Sequence, residues 1–178
     1  QETLMEFKVQ SLTHYWVNGN RFQAHKACYA YSEHGKGKFK IYSPLKSEGK
    51  WWGNMKPSDI QGYSCLPIMG DEVLLVSSLK DVMCLYELGI PAVALQGEGF
   101  MPKRKFIELL QRKFLRVRVL YDNDFDKKDN PGQTMALRIC KEYDLENICI
   151  PSHFGAKDPS DLMFAHGPIP LVRLIKPW

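Results

Sequence analysis

From about residue 70 onward, short apolar runs alternate with segments in which apolar residues recur at helical spacing. Residues 73–76 are a continuous apolar run, and the mainly apolar segments 91–95, 117–121 and 147–150 are the other predicted strands. The first helical segment between them begins after Ser78, the second runs from Pro102 through Phe114, and the third runs from Gln133 to Tyr143. A continuous apolar run is typical of a strand that is buried on both faces. Strands that alternate with helices predict βαβ units, so residues 71–165 are expected to form an α/β domain with a parallel sheet flanked by helices.

Residues 7–68 have a different pattern. Short apolar runs alternate there with Gly and Pro, which indicates irregular, strand-rich structure. The segment Gly35-Lys-Gly-Lys38 predicts a tight turn between two of these strands. We therefore expect a small, strand-rich α+β subdomain over residues 1–70, followed by the α/β domain and then by a C-terminal tail at residues 166–178.

Composition excludes several classes of protein. No run approaches the roughly 20 apolar residues of a membrane span, and the first residues lack the basic start and apolar run of a signal peptide. The five cysteines include no CxxC pair, which argues against a disulfide framework and against a structural zinc site. The chain also has no GxxxxGK[ST] phosphate loop. These features predict a cytoplasmic protein that does not associate with membranes.

The clearest candidate site follows the predicted strand at residues 117–121. In parallel sheets the functional residues lie just beyond the carboxyl ends of the strands, and there the chain reads Asp122-Asn-Asp-Phe-Asp126. Carboxylates at this spacing can turn together to hold a divalent ion such as Mg²⁺. A calcium loop of the EF-hand type would need Gly and Glu at its sixth and twelfth positions, where this chain has Lys127 and Gln133. A solvated acidic turn is the other interpretation.

Further candidates follow the neighbouring strands. Asp158 either caps a short helix or supports a metal ion at the same edge of the sheet. Ser78 and Asp81 predict a capping box, in which Ser78 bonds the backbone amide of Asp81. Lys80, between them, either meets a phosphate group or is exposed to solvent.

Two groups of basic residues are candidates for binding nucleic-acid phosphates without sequence preference. The first group is on the helix that begins at Pro102 and consists of Lys103, Arg104, Lys105 and Arg112. The second group contains Lys38 and Lys40, close in sequence to Trp51 and Trp52, and basic groups beside aromatic rings are typical of single-stranded nucleic-acid binding. A charged solvent face is the alternative for the helix, and paired tryptophans are more often part of a core.

Several of these segments resemble the Toprim domain, which is shared by bacterial DnaG-type primases, phage primase–helicases, topoisomerases and some nucleases. The likeness covers roughly residues 71–165 and is carried by residues 73–88, residues 92–96, Val119-Leu-Tyr-Asp-Asn-Asp124 and Gly155-Ala-Lys-Asp-Pro159. Three upstream segments resemble the N-terminal subdomain of the primase RNA polymerase core. They are Phe39-Lys-Ile-Tyr-Ser-Pro-Leu, Lys50-Trp-Trp-Gly-Asn and Ile60-Gln-Gly-Tyr-Ser-Cys-Leu-Pro67. This upstream likeness favours a primase over a topoisomerase or a nuclease.

The resemblance implies metal-dependent synthesis of short RNA primers on single-stranded DNA. It implies ribonucleoside triphosphates as substrates and a replicative helicase as partner, in a bacterial or phage-infected cell. Asp122 and Asp124 would hold Mg²⁺ or Mn²⁺, with Asp126 and Asp158 as supporting ligands. Two other functions stay open: a Toprim nuclease or recombination factor, and a non-catalytic module of a replicative helicase that binds single-stranded DNA.

One position departs from the Toprim pattern. Toprim domains usually carry a Glu at the end of the first strand, where this chain has Ser77, and serine offers no carboxylate to a metal ion. Glu98 follows the second strand, and adjacent parallel strands lie about 4.8 Å apart, so its side chain is expected to reach the same edge. Glu98 and Lys80 therefore join Asp122 and Asp124 as predicted catalytic residues. An ordinary loop acid is the alternative for Glu98.

Overall fold

The chain consists of two compact units, Gln1–Lys56 and Pro57–Trp178. The structure is a computed structural model, and it describes residues 1–32 and 37–176. The tight turn predicted at residues 35–38 begins outside the described residues.

The first unit is built mainly of short antiparallel strands. Helix α1 (Glu2–Glu6) is followed by β1 (Val9–Ser11), β2 (His14–Val17), β3 (Asn20–Gln23), β4 (Tyr29–Tyr31), β5 (Lys40–Tyr42) and β6 (Trp51–Gly53). Strands β2 and β3 pair as a hairpin, and the other four form an antiparallel sheet in the order β1-β4-β5-β6. The strands are rich in aromatic residues, which have a high strand propensity. Phe7, Cys28, Ala30 and Ile41 are buried in the core of this unit.

The second unit is a parallel sheet with helices packed on it. Its strands are β7 (Gly70–Val76), β8 (Ala92–Ala94), β9 (Phe114–Leu120) and β10 (Glu146–Asn147). Its helices are α2 (Leu79–Glu87), α3 (Arg104–Lys113), α4 (Pro131–Tyr143), α5 (Pro159–His166) and α6 (Pro168–Ile175). The strand order is β10-β9-β7-β8, and each of these pairs is parallel. The predicted fold class, a parallel sheet flanked by helices after a strand-rich part, is confirmed.

The two central strands hold the core of the second unit. Val73 and Leu75 of β7 and Val119 of β9 are completely buried. Leu110 of α3 and Ile139 of α4 pack in the same cluster. Burial on both faces explains why residues 73–76 of β7 read as a continuous apolar run in the sequence. Within the described residues, no helix combines the length and the apolar character needed to cross a membrane.

Several element boundaries differ from the sequence prediction; α4, for example, begins at Pro131 rather than at Gln133. Phe114, expected as the last apolar residue of α3, instead opens β9, where it is buried and pairs with Gly70. Strand β10 has only two residues, although the apolar run at residues 147–150 predicts a longer strand. The backbone amide of Ile148 still donates to the carbonyl of Val119 at 2.7 Å, so the chain leaves the sheet directly after this bond.

The predicted tail at residues 166–178 contains helix α6. Leu171 and Ile175 of this helix are buried. The guanidinium of Arg118 forms a buried ion pair with Glu72 and also donates to the carbonyl of Ile175 at 2.5 Å. These contacts attach the end of α6 to the sheet.

Residues 57–69 pack with the second unit, although the sequence pattern changes only at residue 70. Ile60, Tyr63 and Leu66 pack against the core of this unit, and Gln61 pairs with Ala94 at the edge of the sheet. The amide of Gln61 donates to the carbonyl of Ala94 at 2.8 Å, and the amide of Ala94 donates to the carbonyl of Gln61 at 2.9 Å. A single bridge of this kind leaves no periodic pattern in the sequence.

Candidate functional site

The carboxyl ends of β7, β8 and β9 lie side by side. In the parallel ladder, Val76 pairs with Ala94 on one side and with Leu120 on the other. The loops that leave these three strands therefore start at one edge of the sheet. This is the edge where functional residues collect in parallel sheets.

Ser77 joins two of these loops. Its hydroxyl accepts a hydrogen bond from the backbone amide of Asp122 at 3.0 Å and donates one to Oε1 of Glu98 at 3.3 Å. A serine hydroxyl can donate and accept at the same time. Ser77 occupies the position where Toprim domains usually carry a Glu. Its hydrogen bond links that position to Glu98, the acid predicted to replace the missing Glu.

The acids at this edge repel one another. Partial burial raises the pKa of Glu98, and the charges of Asp122 and Asp124 raise it further. Burial is also the main cause of the raised pKa of Asp122. A bound cation would reverse these shifts, because it favours the ionised form of every carboxylate near it.

Two lysines already neutralise part of this charge. Nζ of Lys127 lies 2.7 Å from Oδ1 of Asp124, and Nζ of Lys157 lies 3.3 Å from Oδ2 of Asp122. Asp126, the third acid of the loop, is exposed, and its charge acts on Lys127. Neither lysine was predicted as a site residue, because the acid with which a loop lysine pairs depends on the fold.

Amide side chains hold the Asp-Asn-Asp loop in place. Asn130 caps helix α4 from a left-handed backbone conformation with φ of 36°. Its Oδ1 accepts from the backbone amide of Asp124 at 2.9 Å, and its Nδ2 donates to Oδ1 of Asn123 at 2.7 Å. Asn123 donates in turn to the carbonyl of Ile150 at 2.8 Å. The sequence analysis missed Asn130, although Asn followed by Pro is a recognisable start of a helix.

Gly132 allows the start of α4 to approach the acids closely. A Cβ atom at Gly132 would lie 2.6 Å from Oε1 of Glu98 and would overlap the carbonyl oxygen of Asp122. Only glycine therefore fits this position. The N-terminal end of a helix carries partial positive charge, so its approach favours negative charge on Glu98.

A second lysine–carboxylate group lies at the same edge. Nζ of Lys80 lies 2.5 Å from Oδ2 of Asp158, 2.5 Å from Oγ of Ser160 and 3.8 Å from Oδ1 of Asp81. Burial opposes the charge of Lys80, but the carboxylates of Asp81 and Asp158 outweigh it and raise the pKa of the lysine. Burial likewise opposes the charge of Asp158, and Lys80 outweighs it and lowers the pKa of that carboxyl.

The predicted helix cap at Asp158 is confirmed, and the predicted capping box is wrong. Oδ1 of Asp158 accepts from the backbone amide of Asp161 at 2.9 Å. Ser78 precedes α2 without a side-chain cap bond, and its hydroxyl donates to Oδ2 of Asp81 at 2.6 Å. Burial raises the pKa of Asp81. Burial also explains why Ser78 bonds this side chain and not the backbone, because a fully buried carboxylate accepts hydrogen bonds from the donors within reach. The backbone amide of Ser160, at 3.3 Å, is another of them.

The basic side chains of the α3 segment face solvent. The exposed residues here are Lys103, Arg104, Lys105 and Arg112. Arg104 also pairs with Glu142 at 2.7 Å and lies over the ring of Tyr143, 5.1 Å from its centroid. The charged solvent face is thus present, and binding of nucleic acid to it stays a prediction.

In the first unit, a lysine lies over an exposed tryptophan. Nζ of Lys40 is 4.4 Å from the ring centroid of Trp51, and burial lowers the pKa of Lys40 to about 8. Trp51 and Trp52 are 42% and 40% exposed, so the expectation that paired tryptophans lie in a core is wrong here. Lys38 is partly exposed. Exposed rings beside ammonium groups form the kind of surface on which nucleic-acid bases stack.

The carboxylates at the carboxyl edge are suitable ligands for Mg²⁺ or Mn²⁺. Mg²⁺ is bound in proteins by one or two carboxylates together with water and phosphate oxygens, and Glu98, Asp122 and Asp124 offer such oxygens. Within residues 1–32 and 37–176, no three acidic, histidine or cysteine side chains form a ready-made metal centre. Lysine ammonium groups take up the oxygens of Asp122 and Asp124 instead. Asp158 already has donors on both oxygens, so it fits a supporting role better than a direct one.

The strand-rich unit, the parallel sheet and the order of their elements define the fold of a primase catalytic core. No protein-family model matches the sequence, and no curated protein matches it. The likeness is seen in solved structures, over almost the whole of this chain.

Three such structures illustrate the match. The DnaG primase catalytic domain bound to single-stranded DNA has a TM-score of 0.70 and 16% identity, covering 98% of this chain and 68% of that chain. The primase fragment of the bacteriophage T7 primase-helicase protein has a TM-score of 0.62 and 13% identity, covering 98% and 70%. The E. coli primase catalytic core has a TM-score of 0.60 and 19% identity, covering 97% and 58%. The resemblance to primase cores is therefore confirmed for the fold.

Proposed function

We propose that this chain is the catalytic core of a primase, a nucleotidyltransferase that makes short RNA primers on single-stranded DNA. The observation that supports the proposal most strongly is the group of three acids at the carboxyl edge of a primase-type sheet. Glu98 is bonded to Ser77 and Ser77 to the amide of Asp122, which supports the proposal that Glu98, from the second strand, serves as the acid that the first strand lacks. The site fits the Toprim pattern if Glu98 serves in place of the Glu that Toprim domains usually carry at the position of Ser77.

In the proposed reaction, a 3′-hydroxyl attacks the α-phosphate of a ribonucleoside triphosphate and pyrophosphate leaves. Glu98, Asp122 and Asp124 would hold Mg²⁺ or Mn²⁺, which supplies charge neutralisation of the triphosphate and orientation of the incoming nucleotide. Asp126 is exposed and stays a predicted supporting ligand.

The remaining polar residues keep the acids in position. Ser77 holds Glu98 beside the Asp122 loop, and Asn130 fixes the amide of Asp124. Lys80, predicted as a catalytic residue, is bonded to Asp158. In this proposal it acts through Asp158 as a positioning residue.

The template in this proposal is single-stranded DNA, and a replicative helicase is the expected partner. One solved neighbour is a primase catalytic domain bound to single-stranded DNA, and another is a fragment of a primase-helicase protein. In this chain, Lys38 and Lys40 of the first unit and the basic residues of α3 would contact the phosphates without sequence preference.

Primer synthesis from labelled ribonucleotides on varied single-stranded templates, with and without Mg²⁺, tests this proposal. We expect metal-dependent primers from the wild-type chain and none from Asp124→Asn. Asp129→Asn, the same change at an exposed position of the same loop, is the matched control and should keep full activity. Wild-type activity in Asp124→Asn, or cleavage of the template without primer synthesis, would contradict the proposal.

A further inference from the structure

The two acids of the Asp-Asn-Asp loop differ from their lysine partners in burial. The side chains of Asp124 and Asp122 are 3% and 15% exposed, whereas those of Lys127 and Lys157 are 55% and 45% exposed. The acids are therefore fixed in the loop, while the ammonium groups sit at its mouth on flexible stems. Such a pair is easily opened from the solvent side.

Each lysine is bonded to an oxygen that a metal ion would need. The contacts involve Oδ1 of Asp124 and Oδ2 of Asp122. Partial burial opposes the charge of Lys157, but Asp122 outweighs it and raises the pKa of the lysine. The hydrogen bond to Asp124 is the main cause of the raised pKa of Lys127. The two ammonium groups therefore occupy positions that any other cation would need at these carboxylates.

We infer that Lys127 and Lys157 are exchangeable counter-ions that select a metal–nucleotide complex over the free metal ion. This inference rests on the proposed metal site. A free divalent cation has to displace both ammonium groups and leaves them without a partner. A nucleoside triphosphate that arrives with the metal gives the displaced ammonium groups phosphate oxygens to bind. Lysine is a common ligand for such oxygens because it offers a compact charge.

If the lysines exchange with the metal–nucleotide complex, their removal should have effects that the removal of purely structural lysines would not have. Replacing the lysines by methionine removes the competing charge but keeps most of the side-chain length. Free Mn²⁺ should then bind more tightly, by about twofold to fivefold for each lysine removed. Mn²⁺ together with ATP should bind more weakly, by about tenfold or more, because charge-assisted hydrogen bonds to phosphate are lost.

Calorimetry with Mn²⁺ alone and with Mn²⁺ plus ATP, in the absence of template, measures both affinities on the full chain. The variants are Lys127→Met, Lys157→Met and their combination, and Lys128→Met is the matched control on the same exposed turn. Opposite changes in the two affinities, absent from the control, are the expected result. Thermal unfolding of each variant shows that the fold is kept.

The outcomes separate this inference from the proposed function. If the lysine variants change both affinities in the same direction, or change neither, the exchange role is wrong while the metal site stands. If Asp122→Asn combined with Asp124→Asn binds Mn²⁺ as well as the wild type does, the metal site is wrong, and both the exchange and the proposed function are wrong with it.

Discussion

Two lysine–carboxylate groups lie at the same edge of the sheet, and they differ in how many fixed donors their acids have. Asp158 accepts from Lys80, from the hydroxyl of Ser160 and from the backbone amide of Asp161. Asp124 is bonded by Lys127, whose side chain is half exposed. We expect an acid with hydroxyl and backbone donors to maintain the fold, and an acid held by an exposed lysine to exchange that lysine for another cation. Burial of the acid does not separate the two cases, because Asp124 and Asp158 are both buried.

The comparison is tested most severely by Asp158→Ala. This change leaves the ammonium of Lys80 without its nearest partner and removes the cap of α5, so we expect the free energy of unfolding to fall by about 4 kcal/mol. Urea denaturation followed by circular dichroism measures it. Asp158→Asn keeps a capping oxygen and should lose about 1 kcal/mol less. A loss below about 1 kcal/mol for Asp158→Ala would show that the Lys80 group does not maintain the fold.

Glu98→Gln acts on the acids near Lys127 and Lys157. It removes one of the three carboxylates proposed to hold the metal ion, so we expect the rate of primer synthesis to fall by about 100-fold. It also removes a charge that the other two acids repel, so the metal-free fold should lose no stability. Single-turnover rates and urea denaturation of the same preparation give the two values. An unchanged rate would return Glu98 to the status of an ordinary loop acid.

Exchanging the residues at positions 77 and 98 sharpens the assignment of the third acid. Glu98→Ser alone removes the third acid, so Mn²⁺ affinity should fall by about tenfold. Combining Glu98→Ser with Ser77→Glu returns a carboxylate to this place, from the strand where Toprim domains usually carry it, and should recover most of the loss. Calorimetric titration with Mn²⁺ decides, and a combined variant no better than Glu98→Ser alone would show that the two positions are not equivalent.

The smallest expected effect concerns the exposed lysines. Lys127→Met and Lys157→Met should each change the free energy of unfolding by less than about 1 kcal/mol, as is usual for solvent-exposed ion pairs. Lys80→Met should cost about 2 kcal/mol or more, because two of its three carboxylate partners, Asp81 and Asp158, are buried. Urea denaturation of the three variants gives the order, and equal losses would remove the distinction between the two groups.

The sequence predicted the parts of this edge that depend on strand order. A continuous apolar run identifies β7, and the mainly apolar segment at residues 117–121 identifies β9. The adjacency of parallel strands places Glu98 within reach of Ser77. The partners of Lys80 and Lys127 were not predictable in this way, because one depends on how α5 packs on α2 and the other on the path of a loop. The capping box failed for a related reason: Ser78 follows the local rule only if Asp81 is exposed, and in the fold Asp81 is fully buried.

The bridge between Gln61 and Ala94 determines where the second unit can be cut from the chain. Strand β8 is an outer strand of the sheet, and the backbone of Gln61 takes up the hydrogen bonds of Ala94 on its open side. A fragment begun at residue 70 would keep every acid of the site but leave this strand unprotected. Unprotected edge strands pair with other chains, so such a fragment would aggregate, and a start at Pro57 is the better choice for producing the second unit alone.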